Sequence, residues 1–210
     1  MNRIIVADDH AIVRQGLKLI FDEYEDLTLE EAVNSGDELL QKVREKNFDL
    51  IILDIAMPGR DVLDTIKDLK SMKPQIPILI FTMNPAEQYA VRVLKAGASG
   101  YINKESPTEE IVSAIRKLLG GNMYIPPNIA ELLANNLKSD HEGPLHETLT
   151  NREFQIMCMI AEGKSVTEIS DKLFLSKNTI SNHRSHILQK LKLKNNAEIT
   201  HYALKHNLIA

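Results

Sequence analysis

The sequence predicts an α/β fold, a five-stranded doubly wound parallel sheet, followed by a small all-α domain of four helices. Over residues 1–120, short apolar runs alternate with longer amphipathic stretches, which is typical of strand–helix units in a parallel sheet. From residue 148 onwards the apolar periodicity is helical throughout. The two patterns indicate two domains, as expected for a chain of 210 residues.

The apolar runs predict the strands, because strands of a parallel sheet are buried on both faces and are therefore almost continuously apolar. The predicted strands are residues 4–7, 27–33, 50–53, 78–81 and 100–102. The predicted helices are residues 11–21, 37–46, 61–71, 86–96 and 108–119, with N-caps at Ser35 and Thr108.

The alternation ends at Gly120 and Gly121, and Pro126 and Pro127 would break a continuing helix. A short helix is predicted at residues 128–137, and the polar segment KSDHEGPLHE that follows is typical of a linker. We therefore divide the chain into a first domain at 1–121, a linker with a short helix at 122–147, and a second domain at 148–210.

Four helix N-caps are recognisable in the second domain. Thr150, Ser165 and Asn195 each precede a glutamate at the third following position, and Ser176 is a cap without that glutamate. Four short helices with a tight turn at residues 174–176 predict a helix-turn-helix bundle.

The composition is that of a soluble globular protein, with 43% hydrophobic residues and a net charge of −4. Cys158 is the only cysteine, which excludes an internal disulfide framework and a multi-cysteine zinc site. The first residues lack the apolar core of a signal peptide, and no apolar run approaches the ~18 residues that a membrane span needs. We expect a cytoplasmic protein without a membrane partner.

The charge is unevenly distributed along the chain. Residues 1–125 carry a net charge of −5 and residues 126–210 a net charge of +1. Between Lys172 and Lys194 there are six basic residues, two histidines and no acid. A run of this kind suggests a polyanionic partner, although a solvated helix face is the commoner explanation of a charge run taken alone.

Three carboxylates follow two of the predicted strands, Asp8 and Asp9 after the first and Asp54 after the third. In the strand order 2-1-3-4-5 these ends border the crevice where ligands bind. Carboxylates that converge there repel one another unless a hard cation such as Mg²⁺ neutralises them. Thr82 and Lys104 follow the fourth and fifth strands, so the set can accept a phosphoryl group and hold its charge.

A single aspartate at a strand end is more often a helix N-cap, but the joint pattern is specific. It comprises VADDH at 6–10, RQGL at 14–17, Asp54 with MPG at 57–59, Thr82, GASGY at 97–101 and Lys104. This pattern resembles the CheY-like receiver domain of two-component response regulators, in particular the NarL/FixJ class.

The resemblance implies the following roles. Asp54 accepts phosphate from a sensor histidine kinase, and Thr82 and Lys104 bind the phosphoryl oxygens. Tyr101 turns inward as Thr82 moves. The Mg²⁺ ligands implied by the resemblance are Asp9 and Asp54 directly, Asp8 through water, and the main-chain carbonyl of Ala56.

Two residues depart from the family pattern in ways that affect this pocket. Val62 occupies a position that usually holds glycine, which predicts a different backbone path after Asp54. Met83 follows Thr82 where a small residue is usual, and its bulk would hinder access to Asp54. We therefore expect Met83 to slow the loss of phosphate. Ala56 also replaces a commonly polar residue, which matters less because the expected ligand is its carbonyl.

The third helix of the second domain has one buried stripe, formed by Ile180, Ile187 and Leu191. Cationic and hydrogen-bonding side chains share the rest of its surface, which suits the major groove of DNA. The segment at 148–210 resembles the LuxR-type helix-turn-helix, including the TIxxH pattern at 179–183. The DNA contacts expected from the pattern and the resemblance are Lys177, Thr179, Ser181, Asn182, Arg184, Ser185 and Lys190.

These features predict a transcription regulator whose dimerisation and binding to double-stranded DNA are altered by phosphorylation of Asp54, and which catalyses at most its own phosphoryl transfer and dephosphorylation. The last helix is the expected homodimer surface, through Ile199, Tyr202 and Ala203, although core packing would explain these three residues equally well. Two alternatives stay open. One is a regulator that acts without phosphorylation, and the other is a Mg²⁺-dependent phosphatase with an aspartyl nucleophile.

Overall fold

The computed structural model describes residues 1–57, 59–83, 86–138, 144–206 and 208–209. The chain divides into two compact units, Met1–Leu132 and Leu133–Ala210. The division falls inside the linker expected from the sequence, and residues 139–143 of that linker lie outside the described residues. Within the described parts of the chain, no helix is long and apolar enough to cross a membrane.

The first unit contains a five-stranded parallel sheet in the order β2-β1-β3-β4-β5. The predicted fold class and strand order are therefore confirmed. The five apolar runs form the strands with shifts of at most two residues at their ends. The strands are β1 Asn2–Ala7, β2 Leu27–Val33, β3 Leu50–Leu53, β4 Ile78–Thr82 and β5 Gly100–Asn103.

Helices follow the strands as expected. They are α1 Ala11–Asp22, α2 Gly36–Glu45, α3 Val62–Met72, α4 Ala86–Lys95, α5 Thr108–Leu119 and α6 Pro127–Lys138. The Ser35 side chain caps α2, as predicted. The predicted N-cap at Thr108 is wrong, because Thr108 is already helical and Pro107 is the N-cap residue. The Pro107 carbonyl accepts the first hydrogen bonds of α5, from Glu110 and Ile111.

Alternate strand residues face a core that α1 and α5 cover. Ile4 and Val6 of β1 are fully buried there against Leu17 and Phe21 of α1 and Ile115 of α5. Burial of all four residues of β3 and all five of β4 agrees with a sheet covered on both faces. This packing fixes the strand ends, which carry the polar residues of interest.

The segment after α5 extends this sheet. Gly100 of β5 and Tyr124 form a parallel bridge, and Tyr124 accepts and donates backbone hydrogen bonds with residues of that edge. Residues assigned to the linker from the sequence therefore belong to the first compact unit.

Among its described residues, the second unit contains helices and the turns that join them, and no strand. A short 3₁₀ helix, Leu145–Thr148, precedes four α-helices, and each helix is capped by the residue that the sequence predicts. Phe174 ends the second of the four in the left-handed conformation and begins the tight turn into the third. The four are α7 Asn151–Ala161, α8 Val166–Leu173, α9 Lys177–Leu191 and α10 Asn196–Lys205.

Candidate functional site

Polar side chains converge at one edge of the sheet, where the parallel strands end. Asp8 and Asp54 follow the neighbouring strands β1 and β3, and the Asp54 N–H donates to the Ala7 carbonyl at 2.9 Å. Thr82 ends β4, and its carbonyl accepts from the N–H of Lys104 at 3.0 Å. Strand pairing alone therefore brings together residues that are far apart in the sequence.

Lys104 joins the two buried carboxylates. Its Nζ atom lies 2.6 Å from Oδ2 of Asp8 and 2.7 Å from Oδ2 of Asp54, and both carboxylates are 1% exposed. Burial by itself lowers the pKa of Lys104, but hydrogen bonds and charges from Asp54 and Asp8 outweigh it and raise the pKa overall. Lys104 is therefore held as a cation that compensates carboxylates shielded from water.

The third carboxylate is more accessible and has a partner that the sequence interpretation missed. The Nδ1 atom of His10 lies 2.8 Å from Oδ1 of Asp9 and 3.2 Å from Oδ1 of Asp8. The His10 N–H also donates to Oδ1 of Asp8 at 2.8 Å. The position of His10 directly after Asp8 and Asp9 was the one sequence feature that could have indicated this contact.

The donor set fits a hard cation. Ligand atoms of Asp8, Asp9, His10 and Asp54 all lie within 4.8 Å of one another among the described residues. Carboxylate oxygens are the ligands that Mg²⁺ prefers, and Lys104 alone supplies one positive charge against them. Ala56 lies beside this set, and its N–H donates to Oδ1 of Asp54 at 3.2 Å.

The other residues expected at the pocket differ in burial. Thr82 and Tyr101 are buried, with 0% and 3% of their surface exposed. Met83 is 58% exposed at the end of β4. Val62 is the first residue of α3 and packs inward, with Asp61 as the helix N-cap. Val62 thus replaces the usual glycine at a helix start, where it is buried.

In the second unit, α9 presents a polar face to solvent. Ile180, Ile187 and Leu191 form its buried stripe, as predicted. The seven residues expected to contact DNA lie off this stripe and are exposed or partly exposed. The exposed ones are Lys177, Ser181, Asn182, Ser185 and Lys190, and the partly exposed ones are Thr179 and Arg184.

Several of these side chains already have partners within the unit. The Arg184 Nε atom donates to Oδ1 of Asn196 at 2.6 Å, and the Ser185 hydroxyl donates to the Ser181 carbonyl at 3.1 Å. The Thr179 hydroxyl lies 2.8 Å from that of Ser176. Among the described residues, the side chains of Lys177, Ser181 and Asn182 have no hydrogen bond or ion pair, so these three are the most available to a ligand.

Lys190 is tied to a carboxylate that the sequence interpretation treated only as a helix cap. Its Nζ atom donates to Oε2 of Glu153 at 2.6 Å, and the same oxygen accepts the Thr150 N–H at 2.8 Å. Burial raises the pKa of Glu153, but the bonds from Lys190 and Thr150 together lower it below its usual value. Glu153 thus anchors the end of α9 to the start of α7.

The expected dimer contacts on α10 need correction. Ile199 and Ala203 are both 0% exposed, since they pack into the core of the second unit. They therefore offer no surface to another chain. Tyr202 is partly exposed, and its hydroxyl accepts the N–H of His146 at 3.2 Å. The apolar residue that α10 exposes most is Leu204, at 50%.

Comparisons with protein families agree with the two units. The family described as "Response regulator receiver domain" matches residues 4–116. The family described as "Bacterial regulatory proteins, luxR family" matches residues 147–203. The sequence is 37% identical over 214 residues to the Oxygen regulatory protein NreC of Staphylococcus carnosus (strain TM300), covering 99% of both chains. It is 36% identical over 215 residues to the protein of that name from Staphylococcus epidermidis (strain RP62A), again covering 99% of both.

The chain is also similar to solved structures of response regulators bound to DNA. RcsB from Salmonella enterica serovar Typhimurium, bound to promoter rprA in the presence of the phosphomimetic BeF3−, is 25% identical with a TM-score of 0.64. The similarity covers 96% of this chain and 97% of that one. A structure of two RcsB dimers bound to two parallel DNAs is also 25% identical, with a TM-score of 0.62, covering 100% of this chain and 99% of that one.

Proposed function

Because this chain belongs to the response regulators that join a receiver domain to a LuxR-type DNA-binding domain, we propose that phosphorylation of Asp54 controls its binding to DNA. One observation carries the proposal. The Nζ atom of Lys104 lies 2.7 Å from Oδ2 of Asp54, and both side chains are almost fully buried, whereas the Asp9 carboxylate is partly exposed. A carboxylate beside a buried cation supports Asp54 as the acceptor of a phosphoryl group.

The proposed donor is a phosphohistidine of a sensor histidine kinase. A carboxylate oxygen of Asp54 attacks the phosphorus, so a P–O bond forms while the P–N bond breaks. The released imidazole nitrogen takes a proton. Lys104 and the Thr82 hydroxyl then bind the phosphoryl oxygens, where a charge-assisted hydrogen bond from Lys104 is the stronger of the two. Loss of phosphate would follow when water attacks the phosphorus.

The donor set supports Mg²⁺ as the cofactor. Asp9, Asp54 and the Ala56 carbonyl would hold the ion directly, and Asp8 would hold it through water. When bound, the ion neutralises negative charge on the carboxylates and the phosphoryl oxygens. Lys104 already compensates Asp8 and Asp54, so the ion would add to a positive charge that the chain itself supplies.

A phosphoryl group adds a charge of about −1.5 to −2. Buried in this pocket, it would draw Thr82 and Lys104 towards Asp54 and allow Tyr101 to repack. This movement would change the receiver surface and so alter dimerisation and DNA binding. RcsB has been solved bound to a promoter in the presence of the phosphomimetic BeF3−, and as dimers bound to DNA. These structures of a similar protein support a link between phosphorylation, dimers and DNA.

For DNA, we propose that α9 enters the major groove. Ser181, Asn182 and Ser185 would face the bases, and Lys177 and Thr179 would contact phosphates. A phosphate would have to compete with Glu153 for Lys190, so the expected contribution of Lys190 is smaller. The Arg184 guanidinium already donates a hydrogen bond to Asn196, and its other donors would be free to bind DNA.

The proposal is tested by incubation with acetyl phosphate and Mg²⁺. We would compare the wild-type chain with Asp54→Asn, and with Asp64→Asn as a matched control on the exposed face of α3. Mass spectrometry measures the gain of one phosphoryl group. Fluorescence anisotropy measures affinity for a duplex selected in vitro by the phosphorylated wild type, and sedimentation measures dimerisation.

The wild type and Asp64→Asn should each gain one phosphoryl group and bind the duplex more tightly, and Asp54→Asn should do neither. If Asp54→Asn still gains phosphate, the assigned acceptor is wrong. Tight DNA binding by all three chains without phosphate would favour the regulator that acts without phosphorylation. Multiple turnover of a small phosphate ester, dependent on Asp54, would favour the phosphatase.

A further inference from the structure

Phe174 is the most exposed large apolar side chain in the described part of the second unit. It is 75% exposed, compared with 50% for Leu204 and 38% for Leu145. Its backbone has φ 53° and ψ 41°, in the left-handed region. Glycine and asparagine adopt this region easily, whereas a residue with a bulky side chain does so at a cost.

Both features of Phe174 act against stability of the isolated fold. The backbone is strained, and the ring gains little from burial because three quarters of it contact solvent. A residue with such properties is better explained by contact with a ligand than by packing. Strained residues in folded proteins cluster at functional sites for this reason.

The place of Phe174 in the fold indicates the ligand. Phe174 lies two residues before Ser176, the N-cap of α9, and the first residues of a recognition helix lie nearest to DNA. Lys172 and Lys177 flank it in the sequence, and the segment between Lys172 and Lys194 contains no acid. An apolar ring in a segment that carries cations and no acid is complementary to the backbone of DNA, in which deoxyribose carbons alternate with phosphates.

Arg152 adds a cation next to the same turn. Its Nη2 atom donates to the carbonyl of Leu173, the residue before Phe174, at 3.0 Å. A carbonyl at the end of a helix carries partial negative charge, so a guanidinium is favourable there. The bond fixes the end of α8 and hence the position from which Phe174 projects.

We propose that the Phe174 ring packs against deoxyribose carbons of the DNA backbone at the start of α9. The contact adds affinity without neutralising a phosphate. This proposal rests on the proposed DNA binding by the second unit. In that interface, Phe174 would contribute affinity through burial of apolar surface. The other possible occupant, a surface of the receiver domain, is distinguished by the experiment below.

The test compares Phe174→Asn with Phe174→Tyr, which keeps the ring, and with Lys177→Gln, which removes a cation. The probe is a labelled duplex selected in vitro by the wild-type chain, titrated from low to moderate salt. Phe174→Asn should bind about tenfold more weakly at every salt concentration, the scale expected for covering about half of an aromatic ring. Its dependence of log affinity on log salt should run parallel to that of the wild type, because no phosphate contact is lost.

Lys177→Gln should instead reduce the salt slope by about one, and Phe174→Tyr should bind within about twofold of the wild type. Thermal unfolding supplies the second measurement. Phe174→Asn should melt at a higher temperature than the wild type, because asparagine relieves the left-handed strain. The expected variant is thus more stable and binds DNA more weakly, a combination that a packing role for Phe174 would not produce.

Unchanged affinity of Phe174→Asn would overturn the proposal, and so would a lower melting temperature. If affinity is unchanged but the response to acetyl phosphate is altered, the ring contacts the receiver domain instead. Failure of the wild-type chain to select or bind any duplex would refute the proposed function, and is therefore distinguishable from failure of this inference.

Discussion

The backbone N–H of Tyr101 donates to the carbonyl oxygen of Tyr124 at 3.1 Å. Tyr101 is the residue expected to repack on phosphorylation, and Tyr124 lies in the segment that leaves the receiver sheet. The Tyr124 N–H in turn donates to the Ser99 carbonyl at 3.1 Å, and its hydroxyl donates to Oε1 of Glu110 at 2.6 Å. Backbone hydrogen bonds therefore tie Tyr101 and the end of the sheet to the segment that follows α5.

Gly100→Ala should disrupt this edge of the sheet. A Cβ atom at Gly100 would lie 3.0 Å from the Tyr124 carbonyl oxygen and 3.2 Å from Cδ1 of Leu79. Overpacking of this kind costs about 1–3 kcal/mol of unfolding free energy, measurable by urea denaturation. Gly16→Ala is the control, because it meets nothing within 4 Å inside α1 and should stabilise by ~0.5–1 kcal/mol. Equal destabilisation by both changes would contradict the steric explanation.

Tyr124 should titrate later than an ordinary tyrosine. Partial burial and the hydrogen bond to Glu110 raise the pKa of Tyr124 to about 12. The folded state thus holds the phenol proton more tightly than the unfolded state, so this contribution to stability is complete below pH ~10 and lost as the pH rises towards 12. The tyrosinate absorbance of Tyr124→Phe should lack this late component. A late component of undiminished amplitude in the variant would exclude the assignment.

The strands could be predicted because each is a short apolar run, and the convergence of Asp8, Asp54 and Lys104 followed from the parallel arrangement. Contacts that depend on side-chain geometry could not be predicted from the sequence. Glu153 bonds Lys190 across 37 residues, and no local pattern indicates this pairing. His10 was adjacent to the predicted site, but its bond to Asp9 depends on the loop conformation.

The residues of α10 illustrate a different limit. Apolar side chains at helical spacing mark a buried face, but the pattern does not say whether a second chain or the same domain covers it. Ile199 and Ala203 are covered within their own unit. Phe174 shows a related limit, because this apolar residue in the predicted turn is 75% exposed, which its sequence pattern does not indicate.

Removal of the Lys104 charge should destabilise the receiver unless a cation replaces it. Lys104→Met leaves the buried carboxylates of Asp8 and Asp54 without their partner, at a cost of about 3 kcal/mol in unfolding free energy. Added Mg²⁺ should raise the melting temperature of this variant more than that of the wild type. The ion binds the folded state preferentially, and in the variant no Lys104 charge compensates the two carboxylates. Lys67→Met, on the exposed face of α3, should show neither effect. A variant as stable as the wild type would mean that Lys104 does not compensate the pair.

Met83 should prolong the phosphorylated state. It lies directly after Thr82 and is 58% exposed. We expect its bulk to hinder the attack of water on a phosphoryl group at Asp54. Met83→Ala should shorten the half-life of phosphate on Asp54 severalfold, followed by mass spectrometry after removal of acetyl phosphate. Met123→Ala serves as the comparison, because Met123 is also exposed, at 51%, but lies outside the pocket. An unchanged half-life in Met83→Ala would show that its side chain does not restrict access.

Asn182 should read a base, whereas Lys177 should only add affinity. Asn182 is exposed on α9 opposite the stripe of Ile180 and Ile187, and an asparagine can bond both N6 and N7 of adenine. Asn182→Ala should cost about 1–3 kcal/mol on the preferred duplex and relax the choice of base at one position in each half-site. Selection in vitro followed by sequencing measures this choice. Lys177→Gln should weaken all duplexes alike, and a uniform loss for Asn182→Ala as well would place Asn182 on the backbone.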